Sequence, residues 1–243
     1  MREQKFTLAA LRDGLLDLLF PPRCFGCEIH LRPGAGKTLC TSCMEMVKII
    51  TAPICRRCGV KVLAGEDRYC QGCLSSPPPF AMARSVAMYH EPVINLLHRL
   101  KYRGDTAVLQ PLRQIISAPG ASLLPPDCDL IVPVPLHRDR LRQRGLNQAL
   151  LLARLGRGRG DTPIEPALLF RKVATPAQTG LSGAARRKNV RGAFAVKDTE
   201  VVRGRRICIV DDVFTTGATV SECARVLVRA GAGEVVVWTV ARV

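Results

Sequence analysis

Apolar and polar positions alternate along this chain in three different ways, and each marks a different kind of element. From Met1 to Phe20 an apolar stripe (Leu8, Leu11, Leu15, Leu18) runs at helical spacing, crossed by Arg12, Asp13 and Asp17. The pattern predicts an amphipathic helix docked on the body and ended by Pro21-Pro22. Acids inside the apolar part, with no small-residue cleavage site, argue against a signal peptide. Residues 21–79 are poor in aliphatics and rich in cysteine, and Ser75-Ser76-Pro77-Pro78-Pro79 marks a boundary. Beyond it, strand and helix periods take turns. Phe80 to His90 alternates as a strand. Pro92 to Arg103 reads as a helix with Val93, Leu96, Leu97 and Leu100 on its core face, and a further helix spans Ala107 to Ile116. Leu130 to Leu136 is a central strand ending in a turn, Leu146 to Leu155 a helix, and residues 206–210 a buried strand. Val220, Cys223, Ala224, Leu227 and Val228 share one helix face, Gly231 caps that helix, and Glu234 to Val240 with Trp238 forms the closing strand. Three units follow: a helix over 1–20, a cysteine module over 21–79 and an α/β domain over 80–243. No stretch reaches 18 consecutive apolar residues, so no transmembrane helix is predicted.

Eight of the eleven cysteines fall into four C-x-x-C pairs: Cys24/Cys27, Cys40/Cys43, Cys55/Cys58 and Cys70/Cys73. Each tight turn offers two sulfurs to one ion, so two structural Cys₄ Zn²⁺ sites fit, a double zinc ribbon. Sequential pairing is favoured over a cross-brace. Complete Cys₄ sets leave no open position for catalysis, and a module with so few aliphatics draws much of its stability from the metal. Thiols in this pattern read as metal ligands in a reducing, cytoplasmic compartment. Cys128, Cys208 and Cys223 have no partner at metal spacing and read as small core residues.

The chemistry concentrates at Ile207-Cys208-Ile209-Val210-Asp211-Asp212-Val213-Phe214-Thr215-Thr216-Gly217-Ala218-Thr219. A buried strand delivers paired carboxylates, then a loop of small hydroxyl residues opens a helix. Unpaired N–H groups at a helix start suit a phosphate, while acids at the strand's carboxyl end suit hydroxyls or Mg²⁺. A sugar phosphate satisfies both halves. This stretch resembles the phosphoribosyl-pyrophosphate (PRPP) loop of type I phosphoribosyltransferases.

Two further stretches extend the resemblance. After Val132-Pro133-Val134-Pro135-Leu136 come His137 and four arginines at alternate positions, Arg138, Arg140, Arg142 and Arg144, followed by Gly145-Leu146-Asn147-Gln148. His137 reads as an exposed histidine beside arginines or as a proton donor. The segment from Arg171 through Thr175, Gln178-Thr179-Gly180-Leu181-Ser182 and Arg186-Arg187 to Asn189-Val190-Arg191-Gly192-Ala193-Phe194 is basic and aperiodic, either a hood over the phosphate site or a solvated linker. Gly156-Arg157-Gly158-Arg159-Gly160 follows a helix and is no dinucleotide fingerprint, and no P-loop motif occurs. Together these runs resemble the ComF/GntX family over essentially the whole chain, with Leu146 standing where Phe is expected. The resemblance implies an open, mainly parallel type I phosphoribosyltransferase-like sheet behind the double zinc ribbon. It also implies roles. Residues Thr215, Thr216, Gly217, Ala218 and Thr219 cradle a 5′-phosphate, and Asp211 and Asp212 hold ribose hydroxyls and stabilise the charge that develops on the ring. Val134, Pro135, Arg140, Arg142, Arg144 and Arg187 face the pyrophosphate, with Mg²⁺ bridging.

Composition leaves the function open between two classes. With 47% hydrophobic and 23% charged residues the chain buries an ordinary core, and its formal charge of +16 points to polyanions. Residues 1–79 carry 11 Lys/Arg against 7 Asp/Glu, leaving 25 against 13, net +12, for 80–243. One reading is a phosphoribosyltransferase acting on PRPP and an unknown acceptor. The other is a single-stranded-DNA-binding protein on the same scaffold, since the ComF resemblance implies a link to competence, DNA uptake and competence machinery proteins. Aromatic residues at 5% give weak support to base stacking.

Overall fold

A computed structural model of the chain describes residues 20–32, 34, 36, 38–63, 65–125, 127–174 and 183–243. The amphipathic helix expected from Met1 lies outside them, as do Thr175 and Gln178 to Ser182 of the expected hood.

The cysteine module needs little regular structure. Short antiparallel bridges, Arg23 to His30 and Ile54 to Lys61, turn the chain at the first C-x-x-C of each ribbon. Helices α1 (Thr41–Glu45) and α2 (Gln71–Ser75) begin directly after Cys40 and Cys70, so the second pair of each ribbon sits on a helical turn. The module is welded to the body. Ile50 N–H donates to the Val86 carbonyl at 3.0 Å, Met88 N–H to that of Lys48 at 2.8 Å, and Leu39 N–H to Gln114 Oε1 at 3.1 Å. Cys24, Leu39, Cys43 and Val47 belong to the same core as Leu96, Leu100, Leu112 and Ile115.

The body is built on β1 (Met82–Met88), β2 (Leu130–Pro133), β5 (Arg206–Phe214) and β6 (Glu234–Arg242), all parallel in the order β1-β6-β5-β2. Apolar runs such as Ile207-Cys208-Ile209-Val210 and Val235-Val236-Val237-Trp238 are buried throughout, as strands covered on both faces require. Helices α3 (Val93–Arg103), α4 (Leu109–Ile116) and α6 (Gln148–Arg157) pack with Val210 and Trp238. Helix α8 (Ala218–Arg229) packs with Ile207, Ile209 and Val237. A two-stranded hairpin, β3 (Leu169–Arg171) with antiparallel β4 (Phe194–Val196), lies apart from the main sheet, and α7 (Gly183–Val190) precedes β4. This is the α/β class the sequence predicts: an open parallel sheet behind two Cys₄ ribbons.

Three local differences matter. Strand β5 runs on to Phe214, past the expected end at 210, because its pairing with β6 continues to Arg242. The arginine run, given no element by the sequence, is the helix α5 (Arg138–Arg144); His137 caps it by accepting from Asp139 N–H at 3.4 Å, and Gly145 ends it at φ 75°. That cap is the role the structure gives His137. Gly156 lies against the indole: a Cβ there comes within 2.9 Å of Trp238 Cη2, so close packing explains this glycine.

Candidate functional site

Each cysteine quartet is sequential. Sulfurs of Cys24, Cys27, Cys40 and Cys43 lie within 4.8 Å of one another, as do those of Cys55, Cys58, Cys70 and Cys73. The two sites repeat one hydrogen-bond design. The N–H of the third cysteine donates to the sulfur of the first, Cys40 to Cys24 at 3.2 Å and Cys70 to Cys55 at 3.3 Å. Burial pushes the Cys24 and Cys55 thiols up, but backbone N–H donors outweigh it and bring each down to about 6. Two quartets of converging sulfurs, each with a pre-stabilised thiolate, fit tetrahedral Zn²⁺.

The acid pair stands at the carboxyl end of β5, and both side chains are buried. Lys101 Nζ, from the last turn of α3, donates to Asp212 Oδ2 at 3.0 Å. Asp212 N–H donates to Asp211 Oδ1 at 2.9 Å, and Val213 N–H to Asp212 Oδ1 at 3.0 Å. Burial pushes the Asp211 carboxyl well above the usual carboxylate range, and the neighbouring Asp212 charge pushes the same way. Burial also raises Asp212, but the Lys101 ammonium and the hydrogen bonds outweigh it and hold Asp212 low. Burial depresses Lys101 while the two aspartates raise it, and the aspartates win. The two carboxyls are therefore pushed apart: Lys101 favours the ionised form of Asp212, while burial and that neighbouring charge favour the protonated form of Asp211.

Besides Lys101, the aspartates act electrostatically on two arginines, Arg144 and Arg171. A helix separates alternate residues, and α5 sorts its arginines accordingly: Arg138 and Arg142 are exposed, Arg140 and Arg144 half-buried. Arg144 donates to Gln148 Oε1 at 2.7 Å, and its guanidinium lies 5.9 Å from the Tyr102 ring centre. Burial depresses the Arg144 guanidinium and both aspartates oppose that. Arg171 on β3, buried over the Phe194 ring at 5.4 Å, is also depressed by burial and by Arg140, with Asp211 opposing. In the sequence Arg171 stands only within a family pattern; it and Lys101 join the site by packing. Arg187 is exposed on α7.

The loop after β5 is shaped by one glycine. Gly217 has φ 72°, and a Cβ on it comes within 2.6 Å of Phe214 Cζ. Thr216 Oγ1 accepts from Ala218 N–H at 3.4 Å, Thr215 and Thr219 are half-buried, and α8 starts at Ala218. Val134 and Pro135 are buried. Val134 N–H donates to the Val210 carbonyl at 2.9 Å, and its own carbonyl accepts from Asn147 Nδ2 at 3.2 Å. They anchor the turn. Asn147, whose Oδ1 also caps α6 at Ala149 N–H (3.0 Å), is a positioning residue with only its place before a helix to signal it.

Known proteins were compared with this frame. A family model described as a double zinc ribbon domain matches residues 15–74. Competence protein F of Haemophilus influenzae is 32% identical over 228 residues, covering 90% of this chain and 96% of that protein. The chain belongs to the ComF family of competence proteins. DNA utilization protein YhgH of Escherichia coli K12 is 32% identical over 231 residues, covering 93% and 99%. Competence protein ComFC of Bacillus subtilis is 29% identical, covering 79% of each. A solved purine phosphoribosyltransferase from Pyrococcus horikoshii aligns at 18% identity and TM-score 0.29, over 61% of this chain and 82% of that one, too distant to carry an argument.

Proposed function

We propose that this ComF-family chain binds PRPP, or a related phosphoribosyl ligand, together with Mg²⁺, and transfers the phosphoribosyl group to an acceptor. One observation carries the reading: a buried carboxyl pair bonded to Lys101, at the end of the strand that leads into the Gly217 turn, felt by the Arg144 and Arg171 guanidinium groups, with Arg140 near those two arginines. The cations suit pyrophosphate, and the loop and the start of α8 suit the 5′-phosphate. Asp211 and Asp212 would hold the ribose hydroxyls and stabilise the positive ring as pyrophosphate leaves. Bound Mg²⁺ supplies charge neutralisation for the leaving group. Asp211 and Asp212, together with the ligand's own oxygens, would hold it. Residues 80–243 form the binding domain in this proposal, with the zinc ribbons of 21–79 and the segment 1–20 as supports.

Titration calorimetry with PRPP and Mg²⁺ tests the reading. Wild type gives a binding heat that Asp211→Asn/Asp212→Asn loses; equal or absent heats overturn it.

A second reading, single-stranded DNA binding, is favoured by the outward pair Arg138 and Arg142 and by the relatives' names, which speak of competence and DNA utilization. It predicts binding that falls steeply with salt and with Arg138→Ala/Arg142→Ala. Work alongside competence machinery proteins in the cytoplasm belongs to the same proposal, supported by thiols set as metal ligands; no helix among the described residues is long and apolar enough to cross a membrane.

A further inference from the structure

Arg242 stands near the end of β6, where a parallel strand interior calls for an apolar residue, yet it is only 8% exposed. A guanidinium placed there needs partners. Its Nη1 donates to the Cys58 carbonyl at 2.6 Å, and its Nη2 lies 3.8 Å from Cys58 Sγ. Cys58 is a ligand of the second ribbon. On its other side the guanidinium carbon sits 4.4 Å from the centre of the Phe214 ring. Phe214 is Arg242's register partner across β5 and β6, and its carbonyl accepts from Val243 N–H at 3.1 Å. The same ring covers Gly217, leaving no room for a Cβ, and meets Phe80 edge-on at 6.1 Å. An unbroken run of contacts therefore leads from Cys58 through Arg242 and Phe214 to Gly217.

We propose that Arg242 is a positioning residue that ties the conformation of residues 215–219 to the second Cys₄ site, so that anion binding at the loop depends on the integrity of that ribbon. A thiolate held by metal keeps its sulfur and the adjoining carbonyl fixed, and a hydrogen-bonded outer partner takes its orientation from them. Freed from Cys58, the guanidinium no longer pins the Phe214 ring, and the Gly217 turn loses the wall that selects its conformation. The affinity part of this inference rests on reading 215–219 as a phosphate loop; the coupling itself does not.

The experiment uses the whole chain prepared with Zn²⁺ in five forms: wild type, Arg242→Met, the milder Arg242→Lys, Cys70→Ser, and Arg242→Met with Cys70→Ser. Zinc content, melting temperature, amide hydrogen exchange over 214–220 and PRPP–Mg²⁺ affinity are measured on each. Arg242→Met should keep two zinc ions per chain while exchange at 215–219 rises, and PRPP affinity falls, by about tenfold, the scale of ordinary intersite coupling. Cys70→Ser should raise the same exchange, and the double variant should add little, because both changes break one connection. Unchanged loop exchange in Arg242→Met, or fully additive effects, overturns the proposal. If Arg242→Met does not fold, Arg242→Lys must show the loop effect with its zinc intact, or the proposal fails. If PRPP fails to bind even wild type, the ligand reading falls while loop exchange still decides the coupling.

Discussion

Lys101 and Asp212 meet at 3.0 Å although 111 residues separate them in sequence. The contact joins the last turn of α3 to the carboxyl end of β5, and it decides how the acid pair is charged. Without an ammonium there, two adjacent buried carboxyls would both drift upward. With it, Asp212 is held below the usual carboxylate range while Asp211 is pushed well above it, so the two acids are made unlike.

Removing that ammonium should therefore cost stability at neutral pH. Lys101→Met leaves the buried Asp212 carboxyl without its cation. Breaking a fully buried pair costs about 3 to 5 kcal/mol. Because the Lys101 side chain keeps 30% exposure, about 2 kcal/mol is expected, discounted for solvent screening. Wild type loses the contribution of this pair as pH falls through the lowered Asp212 pKa. Urea unfolding from pH 7 down to about pH 2 should thus show the gap between variant and wild type closing at the acid end, below the ordinary carboxylate pKa.

Asp211 works in the opposite direction. Its folded pKa is raised, so its contribution is fully present below the ordinary carboxylate pKa and is lost as pH rises towards the raised value. Asp211→Asn removes that dependence. The variant should gain stability relative to wild type as pH rises above the ordinary carboxylate range, read from urea midpoints, even though it loses the proposed ligand. A parallel pair of pH curves would contradict the raised Asp211 pKa.

The arginines of α5 should divide by face. Arg140→Ala and Arg144→Ala are each expected to weaken PRPP–Mg²⁺ binding by about tenfold or more, the loss of one charge-assisted contact. Arg142→Ala should change it by less than about twofold, while weakening single-stranded DNA if the second reading holds. Calorimetry with PRPP and fluorescence anisotropy with a labelled oligonucleotide separate the two faces.

Metal removal should be felt beyond the ribbons. Cys24 and Cys43 share a core with Leu96, Leu100 and Leu112, so stripping zinc with a chelator loosens the packing against α3 and α4 as well as the module itself. The main thermal transition of the body should move to lower temperature and return when Zn²⁺ is restored. A body transition that ignores the chelator would show the two parts to be independent.

Much of this was legible in the sequence because it is local. Ligands three residues apart make a tight turn wherever they stand, and an apolar run ending in two acids and a glycine turn defines a strand, a loop and a helix start by itself. Spacing favoured sequential quartets; the fold brought those sulfurs together. Other features came only from tertiary packing. Four arginines at alternate positions became two facing inward and two outward once the His137 cap and Gly145 wound them into a helix. Lys101, Arg171 and Arg242 acquired their partners from elements distant in sequence, and the upward shift of Asp211 depends on burial that no neighbouring residue encodes. A chain's spacing determines which groups can meet within a turn. Which distant charges are desolvated together is decided only when the core closes, because burial and Coulomb energy depend on distance in space rather than along the sequence.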